Sequence, residues 1–244
     1  MNPHRILLLI LALSLAACGG VQKQHKQIQQ AGEELRFELA QMYIDKGARE
    51  QAIPLLRRLL AEDPNHHAAR ILYGAVLRDL GLYPQATREL QRVLEAEPKA
   101  AGAHAALGIL FDLQRDFDSA KTHHHKAIAL APNRADFVNN LGFSYFLSKQ
   151  PEKAAKFYQQ ALALDPGLTL AYNNLGFAYG QLGEFDKAER TFRTALGESG
   201  SFYNMALVYE ESGNKDKAKR FRRRAFKSDP ELRAMYIKSK ETSR

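Results

Sequence analysis

The sequence predicts an all-α solenoid in which pairs of antiparallel helices stack one on the next behind a short apolar leader. Three observations carry that prediction. Pro64, Pro98, Pro132 and Pro166 recur at intervals of 34 residues. Ala52, Ala86, Ala120 and Ala154 recur in the same phase. Between these markers the apolar residues fall three and four apart, as on one face of a helix, rather than alternating as in a strand. A fixed period of this size signals a repeat architecture and has to be tested before any other fold.

Setting each proline as position 32 gives units 33–66, 67–100, 101–134 and 135–168. Position 7 then reads Leu39, Tyr73, Leu107 and Leu141, and position 8 reads Ala40, Gly74, Gly108 and Gly142. Position 11 reads Tyr43, Leu77, Phe111 and Tyr145, and position 28 reads Leu60, Leu94, Ile128 and Leu162. Positions 4, 7, 8 and 11 share one face of a first helix; positions 20, 24, 27 and 28 share one face of a second. Small residues at 8 and 20 let the two backbones approach closely. Gly47, Gly81, Gly183 and Gly213 suit the end of the first helix. The proline closes the second, because its ring disfavours helical geometry in the residue before it.

A fifth unit carries Leu175, Gly176, Tyr179 and Ala188. A sixth, fixed by Pro230, carries Met205, Ala206, Tyr209 and Ala218 and occupies 199–232. The fifth is therefore confined to 169–198, 30 residues, and the missing four predict a tight or skewed junction around 197–200. Residues 233–244 are expected to extend a basic capping helix over the last pair, with Met235, Tyr236 and Ile237 turned inward.

This pattern resembles the tetratricopeptide repeat, and the resemblance covers residues 33–232. It implies six helix-turn-helix units wound into a right-handed superhelix whose first helices line the concave side. A lone helix pair cannot bury its apolar face, so stacking supplies the core. The composition agrees with a folded chain: 45% of residues are hydrophobic and 25% charged, which argues against wholesale disorder.

The first eighteen residues have a different character. Arg5 precedes an apolar run from Ile6 to Ala17. A helix of that length spans roughly 18 Å, short of the ~30 Å needed to cross a bilayer, so residues 1–17 read as a signal peptide. The run ends Leu15-Ala16-Ala17-Cys18, with Cys18 the only cysteine. This resembles the lipobox of bacterial lipoproteins, in which the thiol is diacylated and the chain is cut just before it. The alternative is an ordinary signal peptide cut near Ala17 that leaves a free thiol. Gly19 and Gly20 follow, and the lack of an aspartate there is the feature that favours the outer membrane, on its periplasmic face. Residues 18–32 then form a polar tether; its first dozen residues after the cysteine reach roughly 40 Å when extended.

No glycine-rich phosphate loop, nucleophile elbow or HExxH stands in the sequence, so no enzyme and no cofactor are expected. A single cysteine excludes a disulfide framework and a cysteine-based zinc cluster. His123, His124 and His125 are consecutive, and helical neighbours point about 100° apart, so the three cannot ligate one metal together. They are expected on an outer or packing face. His104, at position 4, is expected to pack. His66 and His67, beside Pro64, are expected in a solvated turn.

Two surfaces are candidates for binding. In the repeat family, ligand contacts cluster at positions 2, 5, 9, 12 and 13. Positions 5 and 9 here are Phe37/Gln41, Ile71/Ala75, Ala105/Ile109, Asn139/Phe143, Asn173/Phe177 and Tyr203/Leu207. None is basic, which departs from members that clamp a chaperone's C-terminal carboxylate. Phe143, Phe146, Leu147 and Phe177 are expected to form an exposed strip, continued by Tyr203 and Leu207. The near-duplicate segments 138–143 and 172–177 place Asn139 and Asn173 one repeat apart, where their amides would pair with a bound peptide's backbone. The structural alternative is that the rings pack between first helices and the asparagines bridge repeats, a role that Asn140 and Asn174 fit better.

The second candidate is the basic end of the chain. From Lys215 to Arg244 twelve Lys and Arg face four Asp and Glu, a local excess of eight that equals the formal +8 of the whole chain. Arg222, Arg223, Arg224 and Lys227 are expected either to dock an acidic partner or anionic lipid headgroups, or to form a solvated face. Nucleic acid is not an expected partner for an exported lipoprotein.

Lipobox, polar tether and six repeats together resemble the lipoproteins of type IV and Tad pilus systems, which help a secretin ring insert and oligomerise. The resemblance implies a protein partner in the groove and a role in pilus or secretin assembly. The other reading is a general envelope adaptor that recruits cell-wall or lipopolysaccharide machinery.

Overall fold

A computed structural model of the chain describes residue 27 and residues 29–242. Cys18 and the apolar leader lie outside the described residues. Helix α1 spans 29–45. It is followed by α2 (Arg49–Glu62), α3 (His67–Asp79), α4 (Tyr83–Ala96), α5 (Ala101–Leu113), α6 (Phe117–Leu130), α7 (Ala135–Leu147) and α8 (Pro151–Leu164). The remainder is α9 (Thr169–Gln181), α10 (Phe185–Glu211), α11 (Lys215–Ser228) and α12 (Pro230–Thr242). The described residues contain no strand, and none of their helices is long and apolar enough to cross a membrane. The fold separates into two compact units, one ending at Val93 and one starting at Leu94.

Every first helix ends in the same way. The residue at position 15 is left-handed, with φ of 76° at Gly47, 75° at Gly81, 75° at Gly183 and 79° at Gly213. Its N–H bonds back to position 12, and the next N–H bonds to the carbonyl of the large apolar residue at position 11, as in Gly47→Ile44 (2.9 Å) and Ala48→Tyr43 (2.8 Å). This is the Schellman arrangement, which satisfies carbonyls the helix leaves open. Units three and four reach it without glycine: Arg115 stands at φ 62° and Lys149 at φ 59°. Second helices stop because the residue before the proline is extended, for example Asp63 (φ −129°, ψ 95°) and Asp165 (φ −137°, ψ 95°).

Inside the pairs of repeats two to five, the side chain at position 24 sits on the glycine at position 8. A Cβ added to Gly74 would lie 2.9 Å from Leu90, and one added to Gly108 would lie 2.5 Å from His124. Gly142 stands under Tyr158 in the same way, at 2.8 Å, and Gly176 stands under Phe192. In the first unit Leu56, Leu59, Val76, Leu90 and Val93 are buried around Ala40, Ala52, Ala69 and Ala86. In the second, Leu107, Leu110, Leu141, Tyr158, Phe192, Met205 and Phe221 are buried. First helices also meet one another there, α5 on α7 and α7 on α9.

The short fifth unit is accommodated by one residue. Gly197, at φ 68° and ψ −163°, breaks α10 into limbs 185–196 and 198–211. That backbone conformation is open essentially to glycine alone. The second helix of one repeat thus runs into the first helix of the next with no intervening turn. Ser201 is buried at the junction, and its hydroxyl donates to the Glu189 carbonyl (3.1 Å).

At the end of the chain the expected cap needs correction. Its helix begins at Pro230, and only Tyr236 of the three residues expected to turn inward packs, with its ring 5.3 Å from that of Phe226. Met235 is 69% and Ile237 46% exposed.

Two substitutions test this account. Lys149→Gly is expected to raise stability by about 1 kcal/mol, because a left-handed L-residue costs roughly that much; urea unfolding reads it. Gly142→Ala drives a methyl group into the Tyr158 ring, with the Ala154 carbonyl 3.3 Å away. It is expected to cost about 1–3 kcal/mol in the same measurement.

Candidate functional site

The residues expected to line a groove belong to the second unit. Phe143, at 39%, is the one large exposed ring among them, and it stacks on Phe146 with centroids 6.5 Å apart and an interplanar angle of 15°. Phe146 and Leu147 are half-buried, with Phe146 packed against the cluster formed by Tyr158, Leu175 and Ala178. Phe177, Tyr203 and Leu207 are also half-buried. Phe177 meets core Phe192 edge-on at 5.0 Å, and Tyr203 packs on the Phe202–Met205 core. The apolar surface is therefore centred on Phe143, Phe146 and Leu147 and does not continue as a free aromatic row. A ring that packs on its own core has less area to give to a ligand.

The asparagines act within the fold. Asn139 is only 2% exposed, and its carbonyl oxygen accepts from Asn174 Nδ2 (3.0 Å). The same bond recurs one repeat on, where Asn173 Oδ1 accepts from Asn204 Nδ2 (2.5 Å). Position 5 of one repeat is thus tied to position 6 of the next. This corrects the expectation that Asn139 and Asn173 meet a peptide: the neighbouring first helix reaches them first. Ala105, also at position 5, is buried for the same reason.

The three consecutive histidines point three ways. His125 is exposed and meets Phe157 edge-on at 6.4 Å. His123 Nδ1 lies 3.0 Å from His104 Nδ1, and His104 Nε2 lies 3.2 Å from the Pro98 carbonyl. A carbonyl only accepts, so His104 carries its proton on Nε2 and His123 donates to the bare Nδ1 of His104. His124 is fully buried, and its Nε2 is 2.9 Å from the carboxylate of buried Asp112. The second Asp112 oxygen and the Tyr158 hydroxyl are buried without a hydrogen-bond partner among the described residues. Burial, with the Asp112 charge added, holds the Tyr158 hydroxyl well above the ordinary phenol range. No group of three or more His, Cys, Asp or Glu among the described residues is arranged to hold a metal. In the first unit, His66 is not simply solvated: it accepts from the Ala69 N–H (3.2 Å) to cap α3 and stacks on Phe37.

Asp112 and Tyr158 went unnoticed in the sequence, although a signal was present. Asp112 and His124 are positions 12 and 24 of unit three. Glu210 and Arg222 are the same positions of unit six, and they form the same pair. Where position 24 is His or Arg, position 12 is a carboxylate within reach of it.

The expected basic patch divides. Arg222 is held by Glu210 and lies over the Tyr236 ring at 5.4 Å. Arg224 lies 3.8 Å over Phe202 and 5.4 Å over Phe221. Both cations are committed to the fold. Arg223 and Lys227 are exposed and make no ion pair among the described residues.

The histidine pair makes stability depend on pH. Burial above all, with the neighbouring His104, Lys126 and His124 adding to it, pushes the His123 imidazole down to about 4. Burial lowers His104 as well. The unfolded chain then binds more protons than the folded one below about pH 6.5, so stability is full above that value and falls as pH drops toward 4. Thermal melts across pH 7 to 4 are expected to show a decline that His123→Gln flattens.

Tetratricopeptide-repeat models match residues 43–110, 133–197 and 199–232. No curated protein sequence matches the chain. Among solved structures, PilW, titled a widely conserved type IV pilus biogenesis factor, superposes with a TM-score of 0.68 at 18% identity, covering 81% of this chain and 94% of its own. PilF of Pseudomonas aeruginosa superposes with a TM-score of 0.63 at 19% identity, covering 85% and 97%. MamA is similar at 26% identity and a TM-score of 0.51, covering 71% and 96%. At such identities PilW and PilF share a fold with this chain, and the matched segments together take in well over half its length. The chain belongs to the tetratricopeptide-repeat family.

Proposed function

We propose that this chain is a non-catalytic scaffold, held on the periplasmic face of the outer membrane by acylated Cys18, that docks a protein during assembly of a type IV or Tad pilus or its secretin. The observation that carries the reading is the Phe143–Phe146–Leu147 surface on α7. Phe143 is 39% exposed beside half-buried Phe146 and Leu147, and contiguous apolar surface of this kind marks an interaction site. The Leu15-Ala16-Ala17-Cys18 motif supports the anchor. The fold shared with PilF and PilW supports the pilus assignment. Two or three acyl chains on one cysteine would hold the protein firmly to a bilayer, where one would not.

Deleting the gene is expected to remove secretin multimers from the outer membrane and pili from the cell surface. Unchanged multimers and pili would overturn the pilus assignment in favour of a general envelope adaptor. Phe143→Glu, checked for unchanged helicity, is expected to lose at least tenfold in capture of the partner from detergent-solubilised membranes. Undiminished capture would remove α7 from the binding surface. Mass spectrometry of the processed chain is expected to find an acylated Cys18, and an unmodified thiol would remove the anchor.

A further inference from the structure

Between α11 and α12 lies an open cleft of about 520 Å³ lined by Lys219, Arg222, Arg223, Phe226, Lys227 and Arg233. Five of the six are cations and none is acidic. Lys219, Arg223 and Lys227 are four apart along α11, so they form one stripe, exposed along its length. Arg222 and Phe226 form the adjacent stripe, closer to the core. Lys219, Arg223, Lys227 and Arg233 make no ion pair among the described residues, in contrast to Arg222, which Glu210 neutralises. The floor is aromatic, with Phe226 packed on Tyr236. On α12, exposed Ile237 stands one turn beyond Arg233 and on the same face.

We propose that this cleft and the α12 surface beside it bind an anionic lipid bilayer, with the free cations meeting headgroup phosphates and exposed Ile237 entering the interface. Charge is the first argument, because four unneutralised cations line the cleft and no carboxylate is among its lining residues. The second argument separates a membrane from an acidic peptide. None of the lining side chains carries an amide or hydroxyl to fix the direction of an extended bound chain. A lipid surface needs only charge and a shallow apolar insertion, and the cleft with exposed Ile237 on the Arg233 face of α12 offers both. The inference does not depend on acylation of Cys18 or on a pilus partner.

Flotation of the full chain with phosphatidylcholine vesicles, and with phosphatidylcholine vesicles containing one quarter phosphatidylglycerol, tests it. The apolar leader contributes equally to both, so their difference reports the cations. Each Lys or Arg near an anionic surface strengthens attachment about fivefold. Wild type is expected to prefer the anionic vesicles, with a preference that weakens as salt rises. Lys219→Gln/Arg223→Gln/Lys227→Gln, all exposed and so expected to keep its helicity, should lose about a hundredfold of that preference. Ile237→Ser should weaken binding to anionic vesicles without changing its salt dependence. Equal binding of wild type to both vesicles, or an anionic preference undiminished in the triple variant, would overturn the proposal. Binding of poly-glutamate with no preference for anionic vesicles would assign the cleft to an acidic protein and overturn it equally.

Discussion

In repeats two to five, a side chain from the second helix rests directly on a glycine of the first, and the spacing of the two backbones follows from that contact. Leu90 over Gly74 and Phe192 over Gly176 are apolar versions of it, and His124 over Gly108 is a polar one. With a bare backbone on one side and a buried side chain on the other, the helices cannot slide without opening a void or a clash. The contact recurs at the same two positions, so it carries the phase of the repeat along the chain. The left-handed residue at position 15 then returns the chain at the right place for the next contact.

Departures from the pattern are accompanied by local compensation. His or Arg at position 24 is matched by a carboxylate at position 12, in unit three by Asp112 and in unit six by Glu210. A buried charge without such a partner would be strongly destabilising. The four residues missing from unit five are absorbed at Gly197 alone, which lets one helix lead directly into another. Successive first helices of the second unit are further joined by the asparagine bonds Asn139–Asn174 and Asn173–Asn204. These features fix the first-helix surface in which Phe143 is left exposed.

The second unit carries two chemically different surfaces. On α7 the exposed material is aromatic and aliphatic, suited to a partner's apolar side chains. On α11 and α12 it is cationic, with scattered apolar side chains, suited to phosphate. A solenoid can provide both kinds of contact separately because each repeat contacts only its neighbours. Change at one surface therefore need not disturb the other.

The period, the proline-closed ends of second helices, the four glycine turns and the small residues at positions 8 and 20 were legible in the sequence, because each depends on residues close along the chain. Proline closes a helix, and glycine permits a turn, whatever lies across from them. Which side chains remain free was decided only by the tertiary structure. Asn139 faces outward on its own helix, yet the next repeat covers it. Phe177 and Arg224 have the chemistry of binding residues, yet their nearest partners are Phe192 and Phe202 of the same fold. Met235 and Ile237 have the chemistry of core residues and stand exposed, because no further helix pair is stacked on them among the described residues. A repeat's sequence sets the direction a side chain takes from its own helix; the packing of the adjacent helix determines whether anything is there to receive it.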